Sequence, residues 1–157
     1  MLTRDRAQEL LTYDKTTGKL FWRFTLGRMV EGKEAGCVNK GGYRVVRVDK
    51  RPYMAHAIVW LMETGDLPSS EIDHKDRNPA NNRIKNLRVA SRSQNLRNTG
   101  VSKNNRLGVK GVFAHQKGFR SVITCNGVRI DLGTFTSAEN AAIAYVAAEK
   151  VCVAFFG

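Results

Sequence analysis

Apolar residues recur at helical spacing at the start of the chain and then give way to short runs. Leu2, Ala7, Leu10 and Leu11 predict a helix over residues 3–12, ended by Tyr13-Asp14 and the turn at Thr17-Gly18. Residues 19–23 predict a strand. Residues 24–36, mixed and Gly-containing, predict a loop that offers Arg28 and Lys33 to a substrate. Residues 36–39 and 43–48 flank Lys40-Gly41-Gly42, a tight-turn sequence, and predict a hairpin. Apolar and basic residues do not alternate strictly in its second strand, which predicts an exposed basic edge carrying Arg44 and Arg47. Asp49-Lys50-Arg51-Pro52 predicts a turn. Residues 53–62 read as a strand running into a helix, with Ile58, Val59, Leu61 and Met62 as core, broken by Gly65-Asp66-Leu67-Pro68.

Glu71-Ile72-Asp73 predicts a short strand, residues 83–87 a return strand or turn, and residues 91–98 a helix with Ser91 as N-cap. Residues 99–107 have few large apolar groups and read as a linker, with the boundary near residue 105. Three strand-like runs follow, at 109–113, 118–123 and 128–133, separated by turns at His115-Gln116-Lys117 and Asn126-Gly127. Ser137-Ala138-Glu139-Asn140 is a capping signal ahead of an Ala-rich helix over 141–151, with Ala142, Ile143, Tyr145 and Ala148 turned to a sheet. The fold class is α+β: domains at 1–98 (motif core 71–98) and 108–157, joined by the linker.

Charge narrows the partners. The chain of 157 residues has a net charge of +12, which points to a polyanion, with nucleic acid first. A ribosome-like or merely soluble basic protein has the same excess, so charge alone does not choose. Residues 1–98 hold 19 Lys or Arg against 11 Asp or Glu, and residues 99–157 hold 7 against 3, so both parts are basic. Cys37, Cys125 and Cys152 are far apart in sequence, which argues against a disulfide framework, and without a Cys-x-x-Cys pair no structural zinc is expected. No apolar run approaches the ~18 residues that span a bilayer, and the N-terminus lacks a signal-peptide core. The expectation is a reduced, intracellular protein.

Chemistry concentrates at Asp73-His74, with Asn86 and Asn95 downstream. A carboxylate and side-chain amides supply hard oxygens to a divalent ion, and an imidazole takes a proton near neutral pH. These parts suit metal-assisted hydrolysis of a phosphodiester. An Asp-His pair alone is more often a turn, and Asn residues often cap helices.

The whole run from Asp73 to Asn98 resembles an HNH nuclease motif, in the form found in phage and intron-encoded homing endonucleases. The resemblance implies that Asp73 and Asn95 hold the metal, Mg²⁺ or Mn²⁺, and that His74 is the general base. It implies that Asn86 holds the orientation of that base, and that strand, loop and helix form a ββα-metal fold. Asn82 also fits the pattern and is read as structural. Families of this form commonly show an Ala-His before the helix, where His56 stands; a substrate or metal role and a structural role both remain open for it.

Gly111-Val112, Leu132-Gly133-Thr134-Phe135 and the run from Ala138 to Tyr145 resemble the Apetala-two/ethylene-response-factor DNA-binding domain. That implies a three-stranded antiparallel sheet on one helix, laid in the major groove. Lys110, His115, Lys117, Arg120 and Arg129 are then the DNA-binding residues, with Arg44 and Arg47 from the first domain. Phe113 and Ala114 stand where that family commonly has polar or basic residues, which favours phosphate contact over base readout. Together the resemblances imply a homing-type endonuclease on double-stranded DNA, nicking one strand per site, monomeric or dimeric, in the cytoplasm of a host cell. The alternative is a sequence-specific DNA-binding regulator with an inactive HNH scaffold. An RNA-binding protein is the third reading, without a stacking aromatic cluster to support it.

Overall fold

The computed structural model describes residues 1–102 and 105–156; Lys103 and Asn104 of the expected linker and the terminal Gly157 lie outside the described residues. The chain forms two compact units, Met1–Arg92 and Ser93–Gly157. This division falls ahead of the boundary near residue 105 that composition suggests.

The first unit begins with α1 (Arg4–Leu10), capped by Thr3, whose hydroxyl accepts from Arg6 N at 3.3 Å. The expected helix over 3–12 ends early. Leu11 opens β1 (Leu11–Asp14), which pairs with β2 (Lys19–Trp22) in antiparallel register, Leu11 opposite Trp22 and Asp14 opposite Lys19. Leu11 and Leu20 are 1% exposed, so burial in the hairpin overrides the helical spacing. The Asp14 carboxylate closes the turn by accepting from the hydroxyls of Thr16 and Thr17, both at 2.6 Å. Those hydrogen bonds hold it well below the usual carboxylate range.

A second sheet has the order β3 (Cys37–Val38), β4 (Arg44–Val48), β5 (Arg51–Met54). The turn between β4 and β5 is shorter than the expected 49–52. Asp49 and Lys50 both take left-handed φ, +48° and +66°, which reverses the chain in two residues and frees Arg51 and Pro52 for the strand. Pro52 is tolerated because β5 is an edge strand. α2 (Ala55–Thr64) follows at once and ends at Gly65, φ +100°. Its Ile58, Val59, Leu61 and Met62 join Leu11, Leu20, Val46 and Val48 in one core. Each such aliphatic burial is worth roughly 1.5–3 kcal/mol. The unit closes with β6 (Glu71–His74) and β7 (Leu87–Ala90), antiparallel, with a 3-10 turn at Ile84–Asn86 just before β7.

The second unit contains α3 (Arg92–Asn98), whose first residue belongs to the first unit, then β8 (Val112–His115), β9 (Gly118–Cys125), β10 (Val128–Phe135) and α4 (Ala138–Phe156). The sheet order is β10-β9-β8, all antiparallel. Asn126 and Gly127 are both left-handed, as their hairpin requires. Ser137 Oγ accepts from Asn140 N at 3.1 Å at the start of α4. Tyr145 and Cys152 of α4 pack with Ile123 and Cys125 of β9. A side chain at Gly111 (φ +71°) would collide with the Tyr145 ring, 2.1 Å away, so only glycine lets that ring lie there.

The cysteines correct the expectation of three free thiols. Cys125 and Cys152 are disulfide-bonded, Cα–Cα 5.9 Å, while Cys37 is free and exposed. They are 27 residues apart, and the packing of α4 on β9 brings them together. Among the described residues no helix is long and apolar enough to cross a membrane.

Candidate active site

β6 delivers Asp73 and His74, and both are buried, 7% and 4% exposed. The register sets Asp73 opposite Arg88 of β7. The Arg88 guanidinium donates to Asp73 Oδ2 from Nη2 at 2.7 Å and from Nε at 2.9 Å. A carboxylate this deep needs a partner, and a cross-strand arginine supplies one.

His74 Nε2 lies 2.9 Å from Asn82 Oδ1, both groups buried. An amide oxygen only accepts, so in this contact Nε2–H donates to Asn82 Oδ1. Asn82 reaches back to His74 because the intervening loop is tied at several points. Asp76 Oδ1 accepts from Asn78 N (2.9 Å) and Asn86 Nδ2 (2.9 Å), and Asp76 Oδ2 accepts from Asn81 Nδ2 at 2.6 Å. Burial pushes the Asp76 carboxyl up, yet these hydrogen bonds outweigh it and hold it below its ordinary value.

The first hairpin clamps the same loop. Tyr13 Oη donates to Asn82 O at 3.3 Å and accepts from Ile84 N at 2.9 Å. Arg83 Nε donates to Thr16 O at 2.5 Å. Gly18, φ +78°, passes so close that a Cβ would stand 2.6 Å from Arg83 N. Glycine is therefore needed at position 18 for both its conformation and its absent side chain.

Two more rings complete the site. His56, at the start of α2, meets His74 edge to face at 5.1 Å between centroids, and Tyr43 lies 5.8 Å from His56 and 5.9 Å from His74. Burial, with a smaller push from His74, lowers the His56 pKa to about 4. His56 is thus neutral near pH 7, and its ring is a wall beside His74 that adds no charge.

The structure therefore gathers Asp73, His74, Asn82, Arg88, His56 and Tyr43. Asn82, read from the sequence as structural, brings its amide oxygen within 2.9 Å of His74 Nε2. Asn86 Nδ2 donates to Asp76 Oδ1 at 2.9 Å and to Asn81 O at 2.8 Å, within the loop that carries Asn82. Asn95 lies on α3, in the second unit. Among the described residues no three His, Cys, Asp or Glu side chains converge as a closed metal cage. The Asp73 carboxylate is a hard oxygen donor of the kind a divalent ion takes.

The expected DNA-binding cations are placed unevenly. Arg44 is engaged by Glu34 at 3.0 Å and by the carbonyls of Ala35 and Gly36, while Arg47 is exposed. Arg120 pairs with Asp131 at 2.6 Å, which raises its pKa. Arg129 is exposed on β10; His115 and Lys117 sit at the exposed β8–β9 turn, and Lys110 precedes β8. Sequence reasoning passed over Arg88 and Tyr43. A strand register would have revealed Arg88, whereas Tyr43 looked like a residue leaving a turn.

Residues 53–97 match the family model described as HNH endonuclease. Over 75 residues the chain is 35% identical to Protein 3.8 of Escherichia phage T7, covering 46% of this chain and 62% of that protein's length. A solved structure of DNA binding and cleavage by the HNH homing endonuclease I-HmuI is 21% identical with a TM-score of 0.44, covering 84% of this chain and 75% of that one.

Proposed function

We propose that this protein is a divalent-metal-dependent DNA endonuclease of the homing type, cutting one strand per active site. The observation that carries this reading is the buried His74 Nε2–Asn82 Oδ1 contact beside the buried Asp73 carboxylate. Asn82 fixes the tautomer, so His74 Nδ1 takes the proton from an attacking water. His56 and Tyr43 limit how the ring tilts. Asn86, through Asp76 and Asn81, keeps the loop that carries Asn82 in place. Arg88 fixes the Asp73 carboxylate and sets a positive charge next to the position of a bound phosphate.

Asp73 would hold Mg²⁺ or Mn²⁺, which when bound would supply positive charge to the scissile phosphate and leaving oxygen. The second unit is the Apetala-two-like DNA-binding domain in this reading. Arg129, Lys117, Lys110 and His115 bring phosphate contacts, and Arg120 serves with Asp131 as a fixed pair. Arg47 adds a contact from the first unit. A second chain or a second encounter is needed for a double-strand break.

The test is nicking of supercoiled plasmid by wild-type protein with Mg²⁺ and with EDTA, beside Asp73→Ala. Nicked circles that need both the ion and Asp73 support the reading. A wild-type protein that shifts DNA in a gel but never cuts it under Mg²⁺ or Mn²⁺ is a DNA-binding regulator.

A further inference from the structure

Away from Asp73 and His74, the first unit contains a cleft of about 940 Å³, lined by the loop after β2 and by β3 and β4. Its apolar wall is built from Trp22, Phe24, Leu26 and Met29. Trp22 and Phe24 pack edge to face at 5.8 Å, and Leu26 is 64% exposed at the surface. Arg28, Lys33 and Arg47 also line it, all exposed, and they form no ion pair among the described residues. The two acids in the lining are already matched. Glu34 is held by Arg44 at 3.0 Å, and Asp49 by two nitrogens of Arg6 at 2.8 and 3.1 Å. Unmatched cations beside a half-buried Phe24 and an exposed Leu26, with Trp22 buried behind them, are what a base joined to a phosphate requires. Pockets of ~300–1,000 Å³ hold small ligands, so the cleft has room for one nucleotide.

We propose that this cleft takes an unstacked nucleotide of a DNA strand, its base against Phe24 and Leu26 and its phosphate against Arg28, Lys33 and Arg47. The inference deepens the DNA-cleavage reading by giving the enzyme a single-strand contact outside the cutting site. An acidic peptide could satisfy the cations but would leave the aromatic wall without a planar partner, so the nucleotide is favoured.

The test uses the full chain and a single-stranded oligonucleotide of thymidines carrying one 5-iodouracil. After irradiation, the crosslink is mapped by mass spectrometry, and affinity is measured by fluorescence anisotropy for wild type and Arg28→Ala/Lys33→Ala. Both changes are at exposed loop positions, so the core is undisturbed. The expected result is a crosslink within residues 22–29 and a loss of about tenfold or more in affinity for the double variant at fixed salt. Crosslinks only outside that segment, an affinity change under twofold, or equal competition by a Glu-rich peptide of matched charge would overturn the proposal. Plasmid nicking by the wild type, measured alongside, separates the two readings. Nicking without the crosslink defeats the cleft alone, whereas a crosslink without nicking defeats only the endonuclease.

Discussion

Asn82→Ala removes the amide oxygen that faces His74 Nε2 at 2.9 Å. His74 and Asn82 are 4% and 3% exposed, so water does not readily replace it. Leaving that ring N–H without its acceptor costs roughly 1–3 kcal/mol of stability. In a domain of this size, each ~1 kcal/mol moves the melting temperature by about 4–8 °C. The hydrogen bond's net worth of ~1 kcal/mol also sets the tautomer, and its loss shifts that ratio about fivefold. Single-turnover nicking of plasmid should fall by at least that factor. Nitrogen-15 shifts of the imidazole should show protonation moving from Nε2 toward Nδ1. Asn82→Asp keeps an acceptor in place and should recover both the tautomer and much of the rate. If folded Asn82→Ala keeps Nε2–H and nicks at the wild-type rate, Asn82 is no more than a loop residue.

Further outcomes follow from single contacts. Arg88→Ala deprives the buried Asp73 of its guanidinium. Because Arg88 is itself 42% exposed, the cost should be only about 1–2 kcal/mol in urea denaturation, with slower nicking that Arg88→Lys recovers in part. Cys152→Ser, or reduction, opens a loop of 27 residues and should lower the stability of the second unit by ~3 kcal/mol; unchanged unfolding under reductant would contradict the cross-link. His56 has a folded pKa of about 4 against an ordinary 6.5, so the unfolded chain binds more protons between those values. Its contribution is therefore full above about pH 6.5 and is lost as pH falls toward 4, by no more than ~3 kcal/mol. Denaturation across that range should show the decline, and His56→Gln should flatten it.

What could be read from residue order was whatever depended on neighbours in sequence. Asn126-Gly127 announced its hairpin because both positions favour left-handed backbone, and Ser137 announced the start of α4 because its hydroxyl serves a local N–H. The turn at Asp49-Lys50 was misjudged because neither residue is glycine although both are left-handed. β1 was hidden for a different reason. Leu10 and Leu11 fit a helical stripe, and only the pairing of Leu11 with Trp22 decides for a strand. At the site, Asp73 and His74 were legible as residue types in order. The approach of Asn82 Oδ1 to His74 Nε2 was not, because it depends on how a loop tied by Asp76 and Tyr13 folds back. Arg88 and the Cys125–Cys152 pair needed a strand register and a helix packing that no local spacing contains.

The central claim is that His74 activates water for cutting DNA. The most direct test compares wild-type and His74→Ala protein on supercoiled plasmid with Mg²⁺, alongside a gel shift on the same DNA. The account predicts metal-dependent nicking by the wild type, its loss in His74→Ala, and equal DNA binding by both. Nicking by His74→Ala at the wild-type rate would contradict it.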